Sequence, residues 1–357
     1  MTDILPFLKS MLSAPGLSAY ESPVMQLIRE KWTPLVDEVG LSRLGSLHGL
    51  KRGSGKSPRP SIMIATHMDA IGMMVTSVKE GFLHVTSVGG VDARVLPGTL
   101  VTVHATGSDR DEELPGVVVQ PPARQLPPSV GDGPVPLDQL LVDVGLLPAQ
   151  VARRVQVGDI VSYATEPVEL AGDVISGHTL DNRSSVAALT VALEELQSKT
   201  HTWDVWAVAT TQEEVTLGGA FTSAFALKPD LAVAVDVTHA KGPGANDWLT
   251  HPLGKGPCLG FGPNIYPFLF DKFNELADRL EIPHENEVMP GMSGTDAYAT
   301  QVSREGIPTM LVSIPLRYMH TPVEVVSVKD VQRTGRLLSE FIAGLTPDFM
   351  STITWDV

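Results

Sequence analysis

Six side chains able to bind a metal ion or accept a proton stand where apolar runs give out. SIMIAT gives way to His67, and VWAVATTQ gives way to Glu213-Glu214. LAVAV meets Asp236, and MLVSIP leads through Leu316-Arg317-Tyr318-Met319 to His320. Asp181 lies in GHTLDNRSS, just ahead of a helical pattern that opens near Ser184. Imidazoles and carboxylates without thiolates suit Zn²⁺, Co²⁺ or Mn²⁺ at a catalytic site, not a structural zinc. Two His and three carboxylates are too many for a single tetrahedral ion that keeps one position open. They fit two ions sharing one bridging carboxylate, an arrangement that serves hydrolysis.

Two further roles follow from spacing. A metal-bound imidazole gives its other N–H to a carboxylate, so Asp69 is the candidate orienting partner of His67. Glu213 and Glu214 are neighbours, and in an extended segment their side chains leave on opposite sides. One then binds metal while the other faces substrate as general base. The same geometry argues against a glycosidase, whose two carboxyl groups must flank one bond. A deacylase or other amidohydrolase built on the same centre, and a non-catalytic assembly protein, stay open at this point.

The elements that must position these groups alternate between buried strands and amphipathic helices. Strands are expected near Ser46–Leu50, Ser61–Thr66, Val205–Ala209, Leu231–Val235 and Thr309–Ile314. Apolar spacing predicts helices over Ser184–Gln197, Pro267–Leu280, Asp296–Arg304 and Val328–Leu345, and two more before Trp32. This predicts an α/β fold, a layered αβα domain with a mixed sheet. From 72 to 165 the pattern changes to short β-like pieces, FLHVTSV, TLVTVHA, GVVVQ and DIVSYA, punctuated by Gly and Pro, with one helix hinted at Pro148–Val155. That block is expected to be a small all-β insert, leaving residues 1–71 and 166–357 as the catalytic unit.

Bulk composition narrows the partners. With 41 acidic against 26 basic residues the formal charge is −15, which repels phosphate backbones and disfavours nucleic acid. Cys258 is the one cysteine, so no disulfide forms within the chain, as suits a reducing compartment. The N-terminus lacks a cationic segment followed by a long apolar one, and no stretch is long enough to span a bilayer. A cytoplasmic protein with no membrane partner is expected.

THMDAIGMMV, SGHTLDNRSSVAAL, TTQEEVTLGGA, AVDVTH, SGTDAYA and IPLRYMHTPVEVV together resemble the M42 aminopeptidases, the glutamyl and tetrahedral aminopeptidase group. PLDQLLVDVGL followed by VQVGDIVSY extends the likeness through the insert. The resemblance implies removal of N-terminal residues from peptides, with two divalent ions, zinc or cobalt, per subunit. It implies Asp181 as the bridge, His67 and Asp236 completing one site, and Glu214 and His320 the other. It further implies Glu213 as general base, Asp69 as partner of His67, and a homo-oligomer, often a tetrahedral dodecamer assembled through the insert. Thr216 and Gly218 depart from the Gly and basic residue usual after the Glu pair, and His178 stands where a small residue is usual. His178 is expected behind the site or at the surface. Arg317, Lys241 and Lys255 are candidates to meet an acidic substrate side chain, and an apolar preference is equally open.

Overall fold

The computed structural model describes residues 3–107, 111–131 and 133–354. Asp132, in the proline-rich stretch of the insert, lies outside the described residues. An 11-stranded mixed sheet forms the larger layer. Its path runs Glu38–Leu41, Leu47–Lys51, Asp204–Thr210, Ser61–His67, Leu231–His239, Thr309–Arg317, Glu324–Ser327, Val174–Gly177 and Val168–Leu170. The four central strands, from Asp204–Thr210 to Thr309–Arg317, are parallel to one another, and the flanking ones pair antiparallel.

The parallel strands read as near-continuous apolar runs because both faces are covered. Helices Leu180–Glu195 and Val328–Gly344 cover one face, and their side chains merge with the sheet in the main core around Ile64, Val233, Leu189 and Leu338. The helix Leu180–Glu195 is buried on all sides from Leu180 to Leu193, so its sequence shows little amphipathic stripe. Its approach to Val328–Gly344 requires Gly335, where a Cβ would stand 2.5 Å from the Ala188 carbonyl oxygen. On the opposite face, Gly218–Leu227 and Asp296–Gln301 pack together, and Met63, Ala65, Val208, Ala224, Ala232 and Ile307 form a second, smaller core.

Six strands, Gly72–Lys79, Phe82–Val88, Leu100–Ala105, Glu112–Val119, Leu141–Asp143 and Ile160–Tyr163, close into a separate antiparallel barrel with its own core. Alternation fills its interior with Val75, Val85, Val103 and Val161 while the intervening residues face out. The barrel helix Pro148–Arg154 lies where helical spacing was expected.

Two strands run further than the apolar runs suggested. Leu231–His239 continues past Asp236, and Thr309–Arg317 continues past Ile314, because the two pair with each other as far as His239 and Leu316. Asp236 therefore sits inside a strand and not after it. Among the described residues no helix is long and apolar enough to cross a membrane.

Candidate metal centre

The site opens where neighbouring parallel strands part company. Leu231–Ala234 pair with Ile62–Ala65, and the pairing stops there, so the last turns of Ser61–His67 and Leu231–His239 diverge. Ligand sites in open α/β sheets lie at such crevices beyond the carboxyl ends of strands. Asn182 donates its Nδ2–H to the Val235 carbonyl at 2.8 Å, satisfying the acceptor exposed by the parting and anchoring its neighbour Asp181 beside the gap. Asp181 and Asn182 have non-helical backbone angles, and the regular helix follows them.

On the other side of His67 the register does the positioning. His67 pairs with Thr210, so the next residues of both chains emerge together. Asp69 then accepts the backbone N–H groups of Glu213 at 3.0 Å and Glu214 at 3.2 Å, and Ser18 Oγ donates to it at 2.6 Å. The Glu pair thus opens a short helical turn, Glu213–Thr216, with an anionic side chain at its N-terminal amides. This corrects the extended geometry expected of the pair. The turn points both carboxylates into the cleft, Glu213 toward His67 and Glu214 toward His320, so their opposed directions no longer argue against a glycosidase. Glu21 braces the preceding loop, accepting from the Thr211 hydroxyl and from the Gln212 N–H at 3.2 Å.

The structure brings all six groups to one cleft of about 590 Å³. Asp181 stands between the two imidazoles, its Oδ1 3.1 Å from His67 Nε2 and its Oδ2 3.3 Å from His320 Nε2. His67 Nε2 also lies 3.7 Å from Glu213 Oε2 and 3.7 Å from Asp236 Oδ1, and His320 Nε2 lies 3.5 Å from Glu214 Oε2. On its far side, His67 Nδ1 is 3.5 Å from Asp69 Oδ1. Asp69 therefore does two things at once: it faces the back of the imidazole and fixes the backbone of the Glu pair.

Charge in this cleft is lopsided. Burial pushes the Glu213 carboxyl up to about 10, with Asp236, Asp296 and Asp181 adding to the rise and His67 opposing it. Burial and the Asp181 charge likewise hold Glu214 well above the ordinary range. Asp181 goes the other way: burial raises it, but hydrogen bonds from His320 and His67 outweigh that and hold its carboxyl low. Burial lowers His67, yet Glu213, Asp181, Asp236 and Asp69 together carry it well above the usual imidazole range. Such a group of buried carboxylates without Lys or Arg in the lining calls for added cations. The spacing agrees: bonds of about 2.0–2.1 Å to a tetrahedral ion set ligand atoms about 3.3 Å apart. The donors present fit divalent ions of the zinc class.

Three contributors were not singled out from sequence. Glu324, fully enclosed in its strand, accepts the Asp181 N–H at Oε2 (3.1 Å) and the His320 N–H at Oε1 (2.8 Å). It holds the bridging candidate and one imidazole from behind. The signal available was a lone carboxylate in the apolar run PVEVVS. Asp296 accepts from the Thr210 hydroxyl at 2.5 Å, and burial pushes its carboxyl up to about 7. Gly90, from the barrel, lies so close to His320 that a Cβ there would stand 2.6 Å from Nδ1. His178 is buried against the Tyr163 ring and outside the cleft, and burial lowers it to about 3. It is buried and lines a separate small cavity with Ser162 and Tyr163.

Glu324→Gln replaces one of two acceptors with an NH₂ group facing a backbone N–H. The expected result is a loss of roughly 10–100-fold in metal affinity, the usual cost of disturbing a ligand's support. Calorimetric titration of the metal-free variant with Zn²⁺ measures it, and wild-type affinity would remove Glu324 from the role.

Known proteins carry the same architecture. Residues 45–337 match the family model of the M42 glutamyl aminopeptidases. A lysyl aminopeptidase of Pyrococcus furiosus is 35% identical over 95% of this chain and 97% of its own length. The aminopeptidase of the archaeon Desulfurococcus kamchatkensis superposes with a TM-score of 0.89 at 33% identity, covering 99% of this chain and 98% of the other. The Pyrococcus horikoshii TET1 peptidase, described as assembling into a tetrahedron or a large octahedral shell, has a TM-score of 0.81 at 28% identity, covering 96% and 100%. On this similarity the protein is a metal-dependent aminopeptidase, and the chain belongs to the M42 family.

Proposed function

We propose that the chain removes single residues from the N-termini of peptides at a centre of two divalent cations, zinc or cobalt. His67, Asp181, Glu214, Asp236 and His320 hold them, with Asp181 shared, His67 and Asp236 completing one position, and Glu214 and His320 the other. The observation that carries this reading is the placement of Asp181, each of whose oxygens faces a different imidazole, at 3.1 Å and 3.3 Å. When bound, the cations supply Lewis acidity toward the scissile carbonyl and make water a stronger acid.

Glu213 is the general base. Its carboxylate takes a proton from the attacking water and returns it to the nitrogen of the departing amine. Its place in the cleft supports that role: its Oε2 stands 3.7 Å from His67 Nε2, and burial makes it a stronger proton acceptor than an exposed carboxylate. Asp69 stands behind the imidazole of His67 as its orienting partner, Oδ1 3.5 Å from Nδ1, and keeps Glu213 and Glu214 at their places through their amides.

Residues 1–71 and 166–357 form the catalytic unit in this reading, and 72–165 an inserted assembly unit. The closed barrel with its separate core supports that division, and Gly90 supports a share of the insert in the site. The TET1 relative supports a homo-oligomer, with a tetrahedral dodecamer the form proposed. A cytoplasmic location agrees with the single buried cysteine.

Chelation followed by re-addition of Zn²⁺, Co²⁺ or Mn²⁺ tests the reading on a panel of free-amine and N-blocked aminoacyl substrates. Activity on free amines is expected to vanish with the chelator and return with a metal. Hydrolysis of N-blocked substrates alone would identify a deacylase, and chelator-insensitive activity would remove the metal centre from the reaction.

A further inference from the structure

We propose that Glu287 selects a cationic side chain, lysine or arginine, at the first residue of the peptide substrate. The inference rests on the aminopeptidase reading above and names which N-terminal residues the cleft accepts.

Glu287 belongs to the short strand Glu285–Val288, which pairs with Cys258–Phe261 at the border of the sheet. Alternation sets its direction: Asn286 and Val288 are exposed, while Glu285 and Glu287 turn inward. Glu287 thereby lines the same cleft as the metal-seeking groups, on the side formed by Val237–His239 and Met289–Thr295. Among the described residues it makes no ion pair with the two imidazoles, and the Asp236 charge nearby adds to the rise of its carboxyl.

One oxygen, Oε2, is sealed from solvent with no hydrogen-bond partner among the described residues. Burial pushes this carboxyl up to about 7, and the hydroxyls of Ser313 and Thr238 offset only part of the rise. A buried carboxylate with an open oxygen is costly unless a cation meets it. Among the described residues no Lys or Arg lines the cleft to do so. Arg317 donates its Nε–H to the Lys241 carbonyl at 2.6 Å and lines a neighbouring cavity, and Lys241 and Lys255 are exposed. The three basic residues considered for an acidic substrate are therefore absent from this lining.

The surroundings suit a long side chain with a charged end. Val237, Met289, Met292 and Met319 offer apolar, adaptable surface to a methylene stem, and Glu287 offers a carboxylate to the tip. An acidic side chain on this side of the cleft would meet the like charge of Glu287 and is disfavoured.

The experiment compares lysyl, arginyl, norleucyl, leucyl and glutamyl p-nitroanilides on the metal-reconstituted protein and its Glu287→Gln variant. Norleucine keeps the stem of lysine and lacks its ammonium, so the lysyl to norleucyl ratio of kcat/KM reads the charge alone. In the wild-type protein that ratio is expected to reach about tenfold to a hundredfold, the scale of a charge-assisted contact. In Glu287→Gln it falls toward one, and in Glu287→Lys the glutamyl substrate gains on the lysyl one. A wild-type ratio near one overturns the proposal even if neither variant folds. So does an equal loss of all substrates in Glu287→Gln, which would mark a contact to the α-ammonium or a structural role. If norleucyl and leucyl substrates are cleaved without preference for lysyl, only this inference fails. If no free-amine substrate is cleaved, the aminopeptidase reading fails and this one with it.

Discussion

Glu213→Gln is expected to lower kcat by about 10²–10⁴-fold, the usual contribution of a positioned general base, while metal content stays at the wild-type level. The amide keeps the size and hydrogen-bonding reach of the side chain but takes up no proton at neutral pH. A second consequence separates this loss from damage to the fold. The folded protein holds Glu213 up to about 10, so ionising it is harder in the folded state than in the unfolded one. A group raised in this way adds stability while protonated and subtracts it as pH climbs from the ordinary carboxyl value toward the raised one. Near pH 7 the metal-free protein bears that cost, and the neutral amide relieves it. The metal-free variant should therefore melt no lower than metal-free wild type, with thermal denaturation and elemental analysis as the checks. Turnover close to wild type would take the proton-transfer role away from this side chain. Glu214→Gln is the natural comparison, since it should lose metal before it loses anything else.

Much of this candidate centre is legible in the sequence because of a constraint on buried parallel strands. Such strands exclude charge from both faces, so SIMIAT and VWAVATTQ mark the rim by the first ionisable residue that follows each, while MLVSIP reaches it only past Arg317, at His320. The rule failed where pairing outlasts the apolar run. Asp236 is carried inside its strand because Thr309–Arg317 stays paired with it to the end, and no local signal announces a partner's length. It failed again at Glu213, where the backbone turns helical because Asp69, far back in the sequence, offers both its oxygens to the amides. Glu324 was hidden for a similar reason: its work is done on backbone groups of Asp181 and His320, and backbone groups look alike in any sequence. The sign of charge in the substrate cleft was illegible as well. Its walls come from Val237–His239, Met289–Thr295 and Met319, segments that share no motif and meet only through sheet order. The layered fold was the easier inference, since helix and strand periods are local while a cleft is not.

Asp181→Asn makes the same change, carboxylate to amide, and should have the opposite effect on the metal-free fold. Asp181 is held low by the two imidazoles in spite of its burial, so the folded state favours its anion. A depressed carboxyl contributes stability above its unfolded pKa, near 4, and that contribution fades as pH falls through the lower folded value. At neutral pH the variant loses the attraction to His67 and His320 on both flanks, a change of the kind that costs about 3–5 kcal/mol when one side of a buried pair is removed. Its melting temperature should fall below that of metal-free wild type at pH 7, and the gap should begin to narrow only as pH drops below about 4. Catalysis suffers for a separate reason. Asparagine has one oxygen where the carboxylate has two, so one of the two imidazoles faces an NH₂ group and the cation proposed beside it would lose the shared ligand. Metal content should drop from two toward one or none per chain, with a fall in kcat/KM of more than about 10²-fold, the scale of losing one charge-stabilising group. Two tightly bound ions in Asp181→Asn would mean that the carboxylate between His67 and His320 is not what joins the sites. The opposite stability shifts of Glu213→Gln and Asp181→Asn carry the argument further than either activity loss alone. Both variants would be inactive if the cleft were merely disturbed, but only the opposed surroundings of the two carboxyl groups make one amide tolerated and the other damaging in the absence of metal.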